Sequence, residues 1–400
     1  GITTTLCDGQ GKWQLVTRSS NPIEVMGLIR TPDGFLTSLN DVVPEEEGVN
    51  VIYFANPASN NNQQTIIRVV NTTAYSGTFT ITGIQESGAA SSGAVSFTLT
   101  PNQAKQMTAQ DLEKGNVNKG LSGSLGDGAG KWRLTVTSAL ELKVMSLIRT
   151  KDGFLTNLSG MVDEASTGSH KIYFANPASQ TDKQTFLRII NKDDAMGTVT
   201  ISAIDDDGNI APNGDVTVTL DPLAAKQMVA SDLEYGNLSK GLNGYLGSGN
   251  GRWQLTVTSS LDLEVMSLVR TPDGFLTNLS RTAPVSAGVN EVFIFNPASN
   301  TNQRSSLRIV NTSSQQASVT IQGFDDTGAA SSTVTFNMIG NSAMSITSEE
   351  LESGSSNLVG ALGDGAGKWR LKITSNTALQ VQSLLDTPTG FLTNLSRASD

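Results

Sequence analysis

The sequence predicts an all-β chain of tandem antiparallel β-sandwiches, immunoglobulin-like or fibronectin-like, in units of about 119 residues. Three observations predict it: a phrase repeated around every tryptophan, a side-chain period of two within each unit, and turn residues at short, regular intervals. The phrases are Gly11-Lys12-Trp13-Gln14-Leu15, Gly130-Lys131-Trp132-Arg133-Leu134, Gly251-Arg252-Trp253-Gln254-Leu255 and Gly367-Lys368-Trp369-Arg370-Leu371, with tryptophans 119, 121 and 116 residues apart. Each is followed by Gly-Phe-Leu-Thr, at 34–37, 153–156, 274–277 and 390–393. Asn-Pro-Ala-Ser occurs only three times, at 56–59, 176–179 and 296–299. The count therefore predicts three complete units and one partial unit.

Gly1 to Gly11 aligns without gaps to Gly120 to Gly130, with Cys7 opposite Gly126, which places the partial unit at the N-terminus. The units expected are 1–43 (partial), 44–162, 163–282 and 283–400. A permuted frame with the leftover half at the C-terminus fits the same repeats. Connections of roughly ten residues, such as 160–169, are too short for free linkers, so a semi-rigid rod is expected.

Within a unit, Trp132, Leu134 and Val136 face one way while Arg133, Thr135 and Thr137 face the other, as in a half-buried strand. Leu142 to Arg149 is apolar on both faces in its middle, as in a strand inside a sheet. Further strands are expected at 154–158, 172–174, 185–190, 198–204, 216–220 and 225–228. The helical signal is brief: Thr108-Ala109-Gln110-Asp111 resembles a capping box, and Val229 replaces its threonine in the next unit.

Composition narrows the function. Only 16% of the 400 residues are charged, and the net charge of −10 argues against nucleic acid or anionic lipid as partners. One histidine, His170, and one cysteine, Cys7, leave no material for zinc clusters, several Ser-His-Asp sites or an internal disulfide framework. No apolar run is long enough to span a bilayer, so no membrane insertion is expected. Gly1-Ile2-Thr3-Thr4-Thr5 lacks the basic and apolar regions of a signal peptide, which reads as a mature chain or an excised piece.

Several constellations invite chemistry. Gly126-Asp127-Gly128-Ala129-Gly130-Lys131 fails as a phosphate loop, because Trp132 stands where a magnesium-binding hydroxyl belongs and a strand follows instead of a helix. Asp205, Asp206 and Asp207 are the candidates for calcium, the one cofactor weighed. Their counterparts Gln85-Glu86-Ser87 and Asp325-Asp326-Thr327 vary, which favours solvated turns. Asp111/Glu113, Asp232/Glu234 and Glu350/Glu352 resemble carboxylate dyads, but residues two apart on a helical turn do not face each other, so surface acids near a helix start are expected.

Arg30, Arg149 and Arg270 precede turns containing Asp33, Asp152 and Asp273, while the last unit has Asp386 and Thr389 in those places. The joint change predicts a local Arg–Asp pair across the turn or, alternatively, a different neighbour for the last unit. Cys7, Trp13 and Leu15 are the candidates for intermolecular contact, since they lie in the unit left without its other half. His170 is expected to be an ordinary exposed residue.

The ordered series 296–303 (Asn-Pro-Ala-Ser-Asn-Thr-Asn-Gln), Leu307-Arg308-Ile309-Val310-Asn311, Asp325-Asp326-Thr327-Gly328, Gly363 to Leu371 and Thr387 to Ser396 resembles a tandem repeat unit of large secreted and surface proteins of bacteria. The resemblance runs the length of the chain and implies an exported protein at the bacterial surface, with no catalytic or ligand-binding residues to carry across. The expectation is a structural subunit of an extracellular filament, stalk or surface layer, with other copies of the chain as partners through strand complementation. The alternative is a module that binds carbohydrate, such as surface glycans. Neither reading is enzymatic.

Overall fold

The computed structural model describes residues 11–32, 34–46 and 48–396. The fold is all-β, as expected, with three short α-helices and two single 3-10 turns among the described residues. Residues 44–162, 163–282 and 283–396 are called the first, second and third blocks below, and 11–43 the N-terminal segment.

In the second block a six-stranded antiparallel sheet runs in the order Glu164–Ser166, Ser169–Ala175, Trp253–Ser259, Gly197–Ile204, Val216–Leu220, Leu242–Asn243. A four-stranded sheet, Ala225–Val229, Gln184–Asn191, Leu263–Arg270, Leu276–Asn278, packs against it. The alternation seen in the sequence explains the layering: Trp253, Leu255 and Val257 point inward with Ile189, Val199, Ile201 and Val265 into one apolar core. The first block repeats this arrangement. In the third, a single strand, Trp369–Asp386, replaces the two central strands and joins both layers into one seven-stranded sheet.

The helix Ala109–Lys114 is capped as expected, with Thr108 accepting from the Asp111 N–H and Asp111 accepting from the Thr108 N–H. Where Val229 replaces the threonine, only the return bond survives, from the Val229 N–H to Asp232. The cap therefore rests chiefly on the acid.

The expected rod is not formed. The Thr37 hydroxyl donates to the Leu155 carbonyl, Thr156 to Leu276, Thr277 to Leu392 and Thr393 to Leu36, so the Phe-Leu-Thr strands make a closed circuit of four stations. Asn157, Asn278 and Asn394 donate to Asp41, Gly160 and Arg281 carbonyls on the preceding connections. At the centre, Phe35, Phe154, Phe275 and Phe391 all touch one another, with ring centroids between 4.2 and 5.8 Å apart. The connectors are short, as the sequence required, but the Phe-Leu-Thr strands draw every block inward, and this turns a row into a ring.

Candidate assembly interface

The architecture that the three blocks share begins at the tryptophan of each. Trp132, Trp253 and Trp369 are buried, and their indole N–H groups donate to Glu113, Glu234 and Glu352 at 2.8, 2.8 and 2.7 Å. The same carboxylates accept from the backbone N–H of Ala58, Ala178 and Ala298 in the Asn-Pro-Ala-Ser turns. These acids are thus structural hubs, and the expectation of surface acids is corrected: Glu113 and Glu234 are buried, with Asp111 and Asp232 beside them. They tolerate burial because each finds donors for its lone pairs. Burial alone would raise the Asp111 carboxyl, but hydrogen bonds from Lys119, Thr108 and Asn116 together hold it down at about 2.

The glycine-rich loop before each tryptophan serves the same hub. A Cβ at Gly128, Gly249 or Gly365 would fall well inside contact distance of the indole ring, so only glycine lets the loop lie across it. Its glycines thus serve packing against the indole.

Between blocks, the four-stranded sheet of one packs on the six-stranded sheet of its predecessor, burying Tyr53, Phe54, Phe186, Met266 and Leu268. Arg188 is buried here, donating to the Tyr53 carbonyl and pairing with Glu86 at 2.5 Å. Burial would raise the Glu86 carboxyl, but Arg188 and Lys131 outweigh it and lower it. One block on, Arg308 repeats the arrangement with the Tyr173 carbonyl and Asp206, both at 2.7 Å. Backbone bonds reinforce the seam, from Ala225 to the Glu86 carbonyl and from Ala343 to that of Asp206.

This accounts for the three calcium candidates. Asp206 neutralises Arg308 and accepts from the Arg252 N–H. Asp205 accepts from the backbone of Asp207, Asn209 and Asn250, and Asp207 from the Asn250 amide. Among the described residues, no group of three or more His, Cys, Asp or Glu is arranged to hold a metal ion.

The predicted Arg–Asp turn pairs are also corrected. Arg149 and Arg270 donate to Gln64 and Gln184 on the neighbouring strand, and Arg270 stacks on Phe186 at 4.5 Å. Asp33 lies outside the described residues. In the last block Asp386 pairs with Lys183 of the second block. Lys183 stands where the first and third blocks have Gln63 and Gln303, which donate to the Gly274 and Gly34 carbonyls. The charge swap thus marks a particular neighbour, the alternative the sequence had raised. His170, expected to be exposed, is buried where the first two blocks meet, its ring nitrogen 3.3 Å from the Val162 carbonyl. Burial lowers its pKa, opposed in part by that carbonyl and by Glu164.

The N-terminal segment occupies the fourth station of the ring. Lys12 bonds to Gln106 and Gln14 to the Asn102 carbonyl, the same pairings that Arg252 makes with Ser345 and Gln254 with the Asn341 carbonyl. Yet residues 12–20 form no strand, and among the described residues no counterparts of Val49–Ala55 and Gly77–Ile84 flank them to supply backbone partners. Trp13 is 53% and Leu15 72% exposed, and Val16 and Ile23 are exposed beside them. Two of the three contact candidates therefore lie on an open apolar face, and Cys7 lies outside the described residues. Among the described residues no helix is long and apolar enough to cross a membrane.

No protein-family model and no curated protein matches this chain. Among solved structures, a chain from the atomic structure of the Sulfolobus turreted icosahedral virus is aligned over 90% of both chains at 11% identity, with a TM-score of 0.15, too low for the likeness to carry an argument.

Proposed function

We propose that this chain is a structural subunit of an extracellular bacterial filament, stalk or surface layer, joined to its neighbour through the open fourth station of the ring. The observation that carries this reading is the apolar face at Trp13, Leu15 and Ile23, exposed in a chain whose other three stations bury the corresponding residues. Soluble proteins rarely leave such a face and its sheet edge uncovered. The carboxylates and arginines that could suggest chemistry are engaged in holding tryptophans and seams, which supports a packing role.

Electron microscopy and sedimentation over a range of concentrations, on the purified chain and on the same chain carrying a copy of residues 44–119 after Asp400 as a donor half-unit, test the reading. Regular fibres or layers that grow with concentration, and that Trp13→Glu or Leu15→Glu abolishes, are expected. Dispersed single particles under every condition would overturn it.

A further inference from the structure

The fourth station is not merely open; it presents a set of unfilled sockets whose filled versions stand elsewhere in the same ring. Arg68 is the counterpart of Arg188 and Arg308 in the first block, on the same strand and face. Those two arginines are fully buried against a carboxylate and a carbonyl of the preceding block. Arg68 is only partly buried and has no acidic partner among the described residues.

The other side of the station shows the reciprocal gap. Asp326 corresponds to Glu86 and Asp206, and Phe293 to Tyr53 and Tyr173, but no arginine reaches Asp326 among the described residues. Beside them lies a groove of about 660 Å³, lined by Pro22, Ile23, Glu24 and Met26 on one wall and Glu291, Phe293, Ile294 and Arg370 on the other, its two carboxylates adding to the negative charge of Asp326. In the complete blocks, the strand carrying the buried arginine runs next to the counterpart of Met26: Arg188 pairs with Met266 and Arg308 with Gln382. The groove is where such a strand fits. The indole of Trp13 likewise awaits a carboxylate like Glu113.

Resting on the structural reading above, we infer that the station receives a polypeptide half-unit of this same repeat type. Its chemistry is that of residues 44–119: an Asn-Pro-Ala-Ser turn, an arginine strand for Asp326, an acidic turn for Arg68 and a glutamate for Trp13. Hydrophobic burial of Trp13, Leu15 and Ile23 supplies the affinity, while the opposite charges at Arg68 and Asp326 set register and exclude unmatched strands. The half-units within 44–362 are locked onto their own tryptophan strands, so the donor carries a further half-unit of its own. The donor is a polypeptide carrying an unpaired half-unit.

The test appends residues 44–119 directly before Gly1 of the full chain, which copies the natural Lys119–Gly120 junction. Three of the four tryptophans are buried, so acrylamide quenching reads Trp13. In the unextended monomer Trp13 is expected to be quenchable. In the extended monomer the quenchable component disappears and the melting temperature rises. Arg68→Glu is expected to leave the unextended chain's melting temperature and circular dichroism unchanged, which controls for folding. In the extended chain it lowers the melting temperature, and Glu86→Arg in the appended copy restores it. The inference is overturned if Trp13 stays quenchable in the folded extended chain. It is equally overturned if the unextended chain proves to be a dimer with Trp13 already protected, a second copy then being the occupant. Neither result decides whether fibres form, so the structural reading stands or falls separately.

Discussion

At the scale of single residues, the Trp–Glu hub shows how a buried charge can be structural. Glu234 satisfies two donors at once, the Trp253 indole and the Ala178 N–H. Glu234→Ala leaves the buried indole and the half-buried Ala178 N–H unpaired, and we expect a loss of about 1–3 kcal/mol, chiefly from the stranded indole, measured by chemical denaturation. Gln382 presents the opposite case. It stands where the first two blocks have Met145 and Met266, is fully buried, and neither its amide nitrogen nor its oxygen has a partner among the described residues. Gln382→Met is therefore expected to stabilise the chain by about 1–3 kcal/mol, and unchanged or reduced stability would contradict this. His170 sets a pH dependence of known sign. Its folded pKa lies below the unfolded value, so the unfolded chain binds the proton more readily, and stability falls as pH drops below about 6.5 until the folded group also titrates. Melting temperatures from pH 7.5 to 5 should show this slope, and His170→Gln should flatten it. The Asp111 carboxyl acts in a lower window: held at about 2, its stabilisation is present above pH 4 and lost as pH falls from about 4 towards 2.

At the scale of elements, the seams between blocks are strand-on-sheet contacts pinned by one buried arginine each. Removing a single partner of a buried pair strands the other charge at a cost of about 3–5 kcal/mol. Arg308→Ala should approach that figure because Arg308 is fully buried, with the loss moderated by the partial exposure of Asp206. The matched replacement Arg308→Met with Asp206→Asn should recover much of it in the same denaturation experiment. Such seams were only half legible in the sequence. Strands, inward faces and the capping box could be read, since these depend on neighbours one to four residues apart. The destinations of Arg188 and Asp206 could not, because their partners lie 102 residues away. The recurring Asp-Asp-x-Gly turn and Leu-Arg-Ile phrase were visible, but only the fold shows that one receives the other.

At the scale of the whole molecule, four phenylalanines and four threonines close the chain on itself, with Thr393 bonding to Leu36 across 357 residues. Phe275→Ala should cost about 3–5 kcal/mol as the hub opens a cavity. Hydrogen exchange should then accelerate at the Phe-Leu-Thr strands of all four stations rather than in the second block alone. Exchange confined to the second block would show that the circuit does not act as a unit.

The sequence by itself determined the all-β class, the inward face of each strand and the repeated phrases, because a period of two and its turn residues report each strand against its own sheet. Even the glycines that let a loop cross the tryptophan were present as a repeated pattern without a stated reason. Only the tertiary structure decided that Glu113, Glu234 and His170 are buried, that Asp386 faces Lys183, and that the row of sandwiches closes into a ring. The physical reason is that burial and pairing of a polar group depend on whichever surface comes to cover it. Here that surface belongs to residues tens to hundreds of positions away, which local periodicity does not encode.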